Sequence, residues 1–118
     1  MIEKVRMKKG EEFWKHFFGG TFINQEKLKK EGKEYPIKIE YYKKINEDEI
    51  IKLNKSKYGI YIVKTEYKSE NIKTEDKEIK YLTNDEQKVE EVLDFFKRHE
   101  VTPIIAEDVI EDLKYQLF

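Results

Sequence analysis

The chain has 118 residues, no cysteine and a formal net charge of −1, yet 42% of its residues are charged and only 38% are hydrophobic. That length fits one domain, 1–118, with a thin core whose folding removes roughly 65% of the unfolded surface from water. An aromatic content of 14% argues against disorder. The absence of cysteine removes disulfide frameworks, thiolate nucleophiles and Cys-ligated zinc, and no apolar run approaches the ~20 residues of a membrane span.

Ala occurs once, while Lys, Ile, Glu, Asn and Tyr abound, a bias that points to an AT-rich bacterial or phage genome. Met1–Gly10 is basic but lacks the apolar segment of a signal peptide, so the expected location is cytoplasmic. Charge is unevenly placed: residues 1–57 carry 15 Lys/Arg against 10 Asp/Glu, net +5, and residues 58–118 carry 9 against 15, net −6. Such halves either complement each other within one fold or steer a charged partner to one side.

In chain order, Ile2–Lys8 alternates weakly and reads as an edge strand or a frayed end, broken by Gly10. Glu11–Phe18 reads as a short helix with two acids in its first turn, stopped by Gly19-Gly20. Asn24 is placed to cap a further turn through Lys30, ended by Gly32. Pro36–Ile45 is the clearest strand: Ile37, Ile39, Tyr41 and Ile45 share one face, and Lys38, Glu40, Tyr42 and Lys44 the other. A polar turn follows at Asn46–Glu49, then the start of a return strand at Ile50–Leu53 and a loop or bulge at Asn54–Lys57. Tyr58–Tyr67 is a second strong strand, apolar on both faces and therefore central. Lys68–Asp76 reads as a charged loop and Lys77–Leu82 as another strand.

Thr83-Asn84-Asp85-Glu86 has capping-box spacing before a helix striped by Val89, Val92, Leu93 and Phe96 and ended by His99 and Glu100. Thr102-Pro103 restarts the chain into a second helix striped by Ala106, Val109, Ile110, Leu113 and Leu117. The expected fold is therefore α+β: a small antiparallel meander of three to four strands, packed on one face by two C-terminal helices, with a short aromatic helix at the N-terminus.

Two partner-binding candidates stand out. Phe13, Trp14, Phe17 and Phe18 span an arc of about 140° on the expected short helix, wider than packing needs. They serve either as a helix docked on the sheet or as an aromatic anchor for a partner. Lys8, Lys9 and Lys15 nearby also suit stacking on single-stranded nucleic acid, although no nucleic-acid motif is present. Glu107, Asp108, Glu111 and Asp112 form an acidic face on the last helix, read as a solvated face first and as a site for a basic partner second. No loop carries the alternating oxygen ligands of a calcium site, so no metal or other cofactor is expected. His16 and His99 lack an orienting group and a nucleophile, and Gly-rich phosphate loops, HExxH and GxSxG are absent, so no catalytic residue is expected. Phe95 lies off its helix's stripe, and Asn54-Lys55-Ser56 matches a glycosylation pattern that carries no meaning without secretion.

Tyr58-Gly59-Ile60-Tyr61-Ile62-Val63-Lys64, Thr83-Asn84-Asp85, Val101-Thr102-Pro103-Ile104 and Glu107-Asp108-Val109-Ile110-Glu111-Asp112 together resemble an uncharacterised family of small proteins of low-GC Gram-positive bacteria. The resemblance covers about residues 37–117 and leaves Met1–Tyr35 outside. It implies a bacterial cytoplasmic protein and one compact domain, and it transfers no functional residue. The resulting expectation is a non-enzymatic regulatory or inhibitory module that binds another protein, a phage- or mobile-element-borne inhibitor being one version. A nucleic-acid-binding module using the Lys- and aromatic-rich N-terminal half is the alternative. No membrane partner is expected, and the free edges of a small open sheet make a homodimer plausible.

Overall fold

Alternating apolar and charged residues build one antiparallel sheet, and the two C-terminal helices close one of its faces. The computed structural model describes the backbone of residues 2–6, 12–46 and 56–117 and the side chains of 15–46 and 56–114. Four long strands run in chain order as β2 (Glu12–Phe22), β3 (Ile37–Ile45), β4 (Tyr58–Tyr67) and β5 (Ile72–Thr83), with β1 (Ile2–Arg6) added at the edge of β2. All neighbours are antiparallel, so the sheet is an up-and-down meander with β4 in its interior. Helix α1 (Gln25–Lys30) joins β2 to β3, and α2 (Glu86–Arg98) and α3 (Ala106–Leu117) follow β5, separated by a 3₁₀ turn at Pro103–Ile105.

The sheet corrects three sequence expectations. Glu12–Phe18 is strand rather than aromatic helix, because it hydrogen-bonds to β1 on one side and β3 on the other. An isolated two-turn helix is marginal in water, whereas aromatic residues suit a pleated, half-buried surface. Gly19 and Gly20 do not stop the element; they lie inside β2, next to a bulge between Phe17 and Gly19. The charged loop is only 68–71, since Ile72–Asp76 already pairs with β4 as the first half of an edge strand whose outer side tolerates charge. The cap of α2 is Asp85, which accepts from the Gln87 amide (2.9 Å), while Thr83 Oγ1 accepts from the Asp85 amide instead of acting as the helix cap. The expected strand start at Ile50–Leu53 lies outside the described residues.

Side chains alternate across each strand, so the register assigns the two faces. On the covered face, Ile37, Ile39, Tyr41, Ile60 and Ile62 are buried against Val89, Val92, Leu93 and Phe96 of α2, with Leu28 of α1 and Ala106, Ile110 and Leu113 of α3. Tyr41 donates its hydroxyl to the Val101 carbonyl (2.7 Å) and meets the Phe96 ring edge-on at 6.3 Å. Charged residues also enter this face. Lys43, 6% exposed, bonds Glu86 and Glu90 of α2 at 3.1 and 3.2 Å. Lys64 pairs with Glu66 at 3.3 Å and Glu75 at 3.9 Å.

The ends of α1 and α2 share one device. Lys33 N–H reaches the Leu28 carbonyl and Val101 N–H the Phe96 carbonyl, each at 2.9 Å, closing the helices with a left-handed residue between. That residue is Gly32 (φ +73) after α1 but Glu100 (φ +51) after α2. A non-glycine there costs on the order of 1 kcal/mol, and Glu100 offsets it by accepting from the Asn24 amide (3.1 Å) and facing Lys27 at 3.9 Å. One carboxylate thus ties the end of α2 to the start of α1.

Gly59 is fixed by close approach. The ladder slips between Tyr58 and Ile60, so β5 bulges there, and a Cβ on Gly59 would collide with the carbonyl oxygens of Ile79 and Lys80. Asn46 secures the same bulge by donating Nδ2 to the Lys80 carbonyl (2.8 Å). Gly59→Ala is expected to lose about 2 kcal/mol or more of stability, because backbone rather than a movable side chain must yield. Gly32→Ala meets no atom and is expected to lose only ~1 kcal/mol through its backbone angle. Urea denaturation of both variants checks the order.

Candidate binding surface

No described helix lies on the opposite face of the sheet, and that face carries the exposed aromatics. Phe17, Tyr42 and Tyr61 are directly opposite one another on β2, β3 and β4, and Glu78 of β5 ends the same cross-strand row. Phe17 meets Tyr42 edge-on at 5.5 Å, and the Tyr42 and Tyr61 centroids are 6.0 Å apart. Lys15 Nζ rests 4.4 Å from the Tyr42 centroid and 5.4 Å from that of Tyr61. Tyr42 donates to Glu40 (3.0 Å) and Tyr61 to Asp76 (2.7 Å). The register places Phe22, Tyr67 and Ile72 on this face too, at 59%, 38% and 63% exposure. At one end Lys44, only 2% exposed, pairs with Glu78 at 2.8 Å and lies under the Tyr81 ring.

Electrostatics hold one phenol on each face neutral, Tyr61 and Tyr41. Burial, then the hydrogen bond and charge of Asp76, push Tyr61 far above the usual phenol range. On the covered face burial does the same to Tyr41, helped by the charge of Glu100. The uncovered face therefore presents ring faces, lysine ammonium groups and carboxylates side by side.

The sequence-derived candidates disperse. Phe13 and Trp14 fall on β2 opposite Val5 and Ile45 respectively, and their side chains lie outside the described residues. Phe17 joins the uncovered face, whereas Phe18, beside the bulge, packs on the core. Of the two members with described side chains, Phe17 is exposed and Phe18 is half-buried. Glu107, Asp108, Glu111 and Asp112 are all exposed on α3. Glu107 pairs with Lys77 (2.6 Å) and Glu111 with Lys114 (2.9 Å), and a shallow groove of about 410 Å³ runs between α3 and the Ile79–Leu82 stretch of β5. Among the described residues no group of three His, Cys, Asp or Glu is arranged to hold a metal ion. His16 pairs in the ladder with Lys43, while His99 caps α2 and stacks on Phe95 at 4.2 Å.

Tyr42, Tyr61, Asp76 and Lys15 were the members sequence reasoning did not assemble. The outward position of Tyr42 on its strand and the aromatic character of both faces of β4 were the available signals. Joining them needed the strand register and the presence of Phe17 on a neighbouring strand.

A family model described as a family of unknown function, DUF6514, matches residues 20–115. The chain belongs to that family. The DUF6514 match begins at Gly20, not near residue 37, so it takes in α1 and the second half of β2 as well as the β3–α3 region. Phe13, Trp14, Phe17 and Phe18 precede it, whereas Tyr42, Tyr61 and Asp76 lie inside it. Comparison with curated proteins and with solved structures returns no match. No described helix of this DUF6514 chain is long and apolar enough to cross a membrane.

Because the folded state holds Tyr41 and Tyr61 protonated, their contribution to stability is complete below the unfolded value of about 10 and is lost as pH rises beyond it. Absorbance titration at alkaline pH should show Tyr61→Phe removing no phenol from the group that ionises near its ordinary value. Asp76→Asn should shift the Tyr61 ionisation downward, read from its ring NMR resonances.

Proposed function

We propose that the chain is a non-enzymatic protein-binding module of a regulatory or inhibitory kind, acting in the bacterial cytoplasm, and that it docks its partner on the uncovered face of the sheet. One observation supports this reading: the aromatic row Phe17–Tyr42–Tyr61 lies on a face that no described helix covers, flanked by exposed Phe22, Tyr67 and Ile72. Aromatic side chains with a polar rim are the usual energetic centre of a protein interface. Tyrosines held by carboxylates are also pre-organised, which lowers the ordering cost of association. An inhibitor carried by a phage or mobile element is one form such a module takes.

Affinity capture from the native host, with wild type and Phe17→Glu compared at matched folding, tests the reading. The expected result is a partner lost from Phe17→Glu and retained by the doubly substituted Asp108→Asn/Asp112→Asn chain. Equal capture by wild type and Phe17→Glu, with loss from the α3 variant, would move the docking surface to the acidic helix and overturn the reading.

A second reading has its own support. Lys15 lying over two tyrosine rings on an open sheet is also an arrangement on which bases stack. It predicts a gel shift with single-stranded oligonucleotide that weakens steeply with salt. The carboxylates of Glu40 and Asp76, positioned at the tyrosine hydroxyls, weigh against it by repelling phosphate.

A further inference from the structure

The uncovered face contains a seat for a cation, and the protein's own Lys15 occupies it. The Tyr42 and Tyr61 rings are inclined at 44°, and the Lys15 ammonium is within 6 Å of both centroids, the range in which a ring quadrupole attracts a positive charge. Both hydroxyls are committed to carboxylates, Tyr42 to Glu40 and Tyr61 to Asp76. Hydrogen bonding to an anion raises the electron density of each ring and strengthens its hold on a cation. We propose that this seat receives an arginine or lysine side chain of a partner protein, which displaces Lys15. The proposal rests on the reading that this face docks a protein, and it names the chemistry of the docked segment.

Charge on the face supports that choice of occupant. Lys44 and Glu78 cancel each other in a buried pair. Among the described side chains paired in β2–β5, the register leaves Glu40 and Asp76 toward solvent with Lys15 and Lys38. Once Lys15 swings aside, two carboxylates border the paired rings and Lys38 remains a strand row away, opposite Phe22 and Thr65. A guanidinium fits this arrangement: its plane stacks on a ring while its N–H groups reach a carboxylate. Phe17 and Phe22, at 40% and 59% exposure, supply apolar contact for residues flanking the cation. Lys15 therefore acts as an internal stand-in, keeping the rings covered until a better cation arrives. Its flexible four-carbon stem allows that exchange without moving the strand.

The test is an NMR titration of the tyrosine ring resonances of the full chain with three probes: a decapeptide alternating Arg and Gly, its counterpart with Glu in place of Arg, and oligo-dT. The Arg peptide is expected to shift Tyr42 and Tyr61 and leave Tyr41 unmoved. Lys15→Met, which keeps the apolar stem and vacates the seat, should bind the Arg peptide about three- to fivefold more tightly, and Tyr61→Leu about fivefold more weakly. Backbone amide spectra of each variant verify the fold. Lys38→Met, which removes the same charge outside the seat, should tighten binding less than Lys15→Met, and equal tightening by both would mean general attraction to the acidic chain and overturn the proposal. Unchanged or weaker binding by Lys15→Met, or equal shifts with the Glu peptide, would overturn the proposal. Shifts caused by oligo-dT alone would replace the occupant with nucleic acid, and concentration-dependent shifts without any probe would replace it with a second copy of this chain. Partner capture that depends on Phe17, together with no response to the Arg peptide, would leave the docking reading standing and remove the cation seat.

Discussion

Tyr41 joins the two halves of the molecule. Its ring is fully buried in the middle of β3, and its hydroxyl meets the Val101 carbonyl in the joint between α2 and α3. A buried phenol needs such a partner, and a joint carbonyl needs a donor once the helix ends. The bond therefore holds the joint after α2 against the middle of the sheet. Phe96 against the ring, and Val101 folded back onto the Phe96 carbonyl, hold the same corner. From there Pro103 opens the turn that leads into α3, and α3 comes to lie beside β5. This corner carries the two C-terminal helices onto the Tyr41 face of the sheet.

A chain with more charged than hydrophobic residues must let charge into its covered face. It does so with lysines from the strands and carboxylates from across the fold: Lys43 with Glu86 and Glu90 of α2, and Lys64 with Glu75 of the neighbouring strand. The Lys43 ammonium loses water, but its two partners more than restore the charged form, and the Glu86 carboxyl is correspondingly lowered. Glu66 is lowered in the same way: burial raises it, and Lys64 and Lys68 outweigh that cost. Such pairs add little net stability compared with apolar packing, but misregistered alternatives would leave a buried charge unpaired. Through Lys43 the basic N-terminal half meets the acidic C-terminal half partly inside the fold.

The α+β class, the two C-terminal stripes, the joint at Thr102-Pro103 and the inward face of β3 were legible, because periodicity and capping chemistry are local. Glu12–Phe18 was not. Its acids, aromatic spacing and following glycines mimic a short helix, and only pairing with β1 and β3 decides otherwise. Gly19-Gly20 read as a stop because a bulge cannot be seen without the opposing strand. Phe17 and Phe18 looked like one cluster on a helix, whereas the strand sends one outward and one to the core. Tyr42 and Tyr61 lie 19 positions apart in sequence and 6.0 Å apart in space, and only the β3–β4 register joins them.

Membership of DUF6514 over residues 20–115 carries no function, so the physical character of the surface bears the interpretation. Its central claim is that the sheet has one closed face and one open, aromatic face. Hydroxyl-radical footprinting of the isolated chain tests this directly. Rapid modification of Phe17 and Phe22, intermediate modification of Tyr42 and Tyr61, and protection of Tyr41 and Phe96 are the predicted pattern. Protection of Phe17 and Phe22 equal to that of Tyr41, independent of protein concentration, would contradict the account.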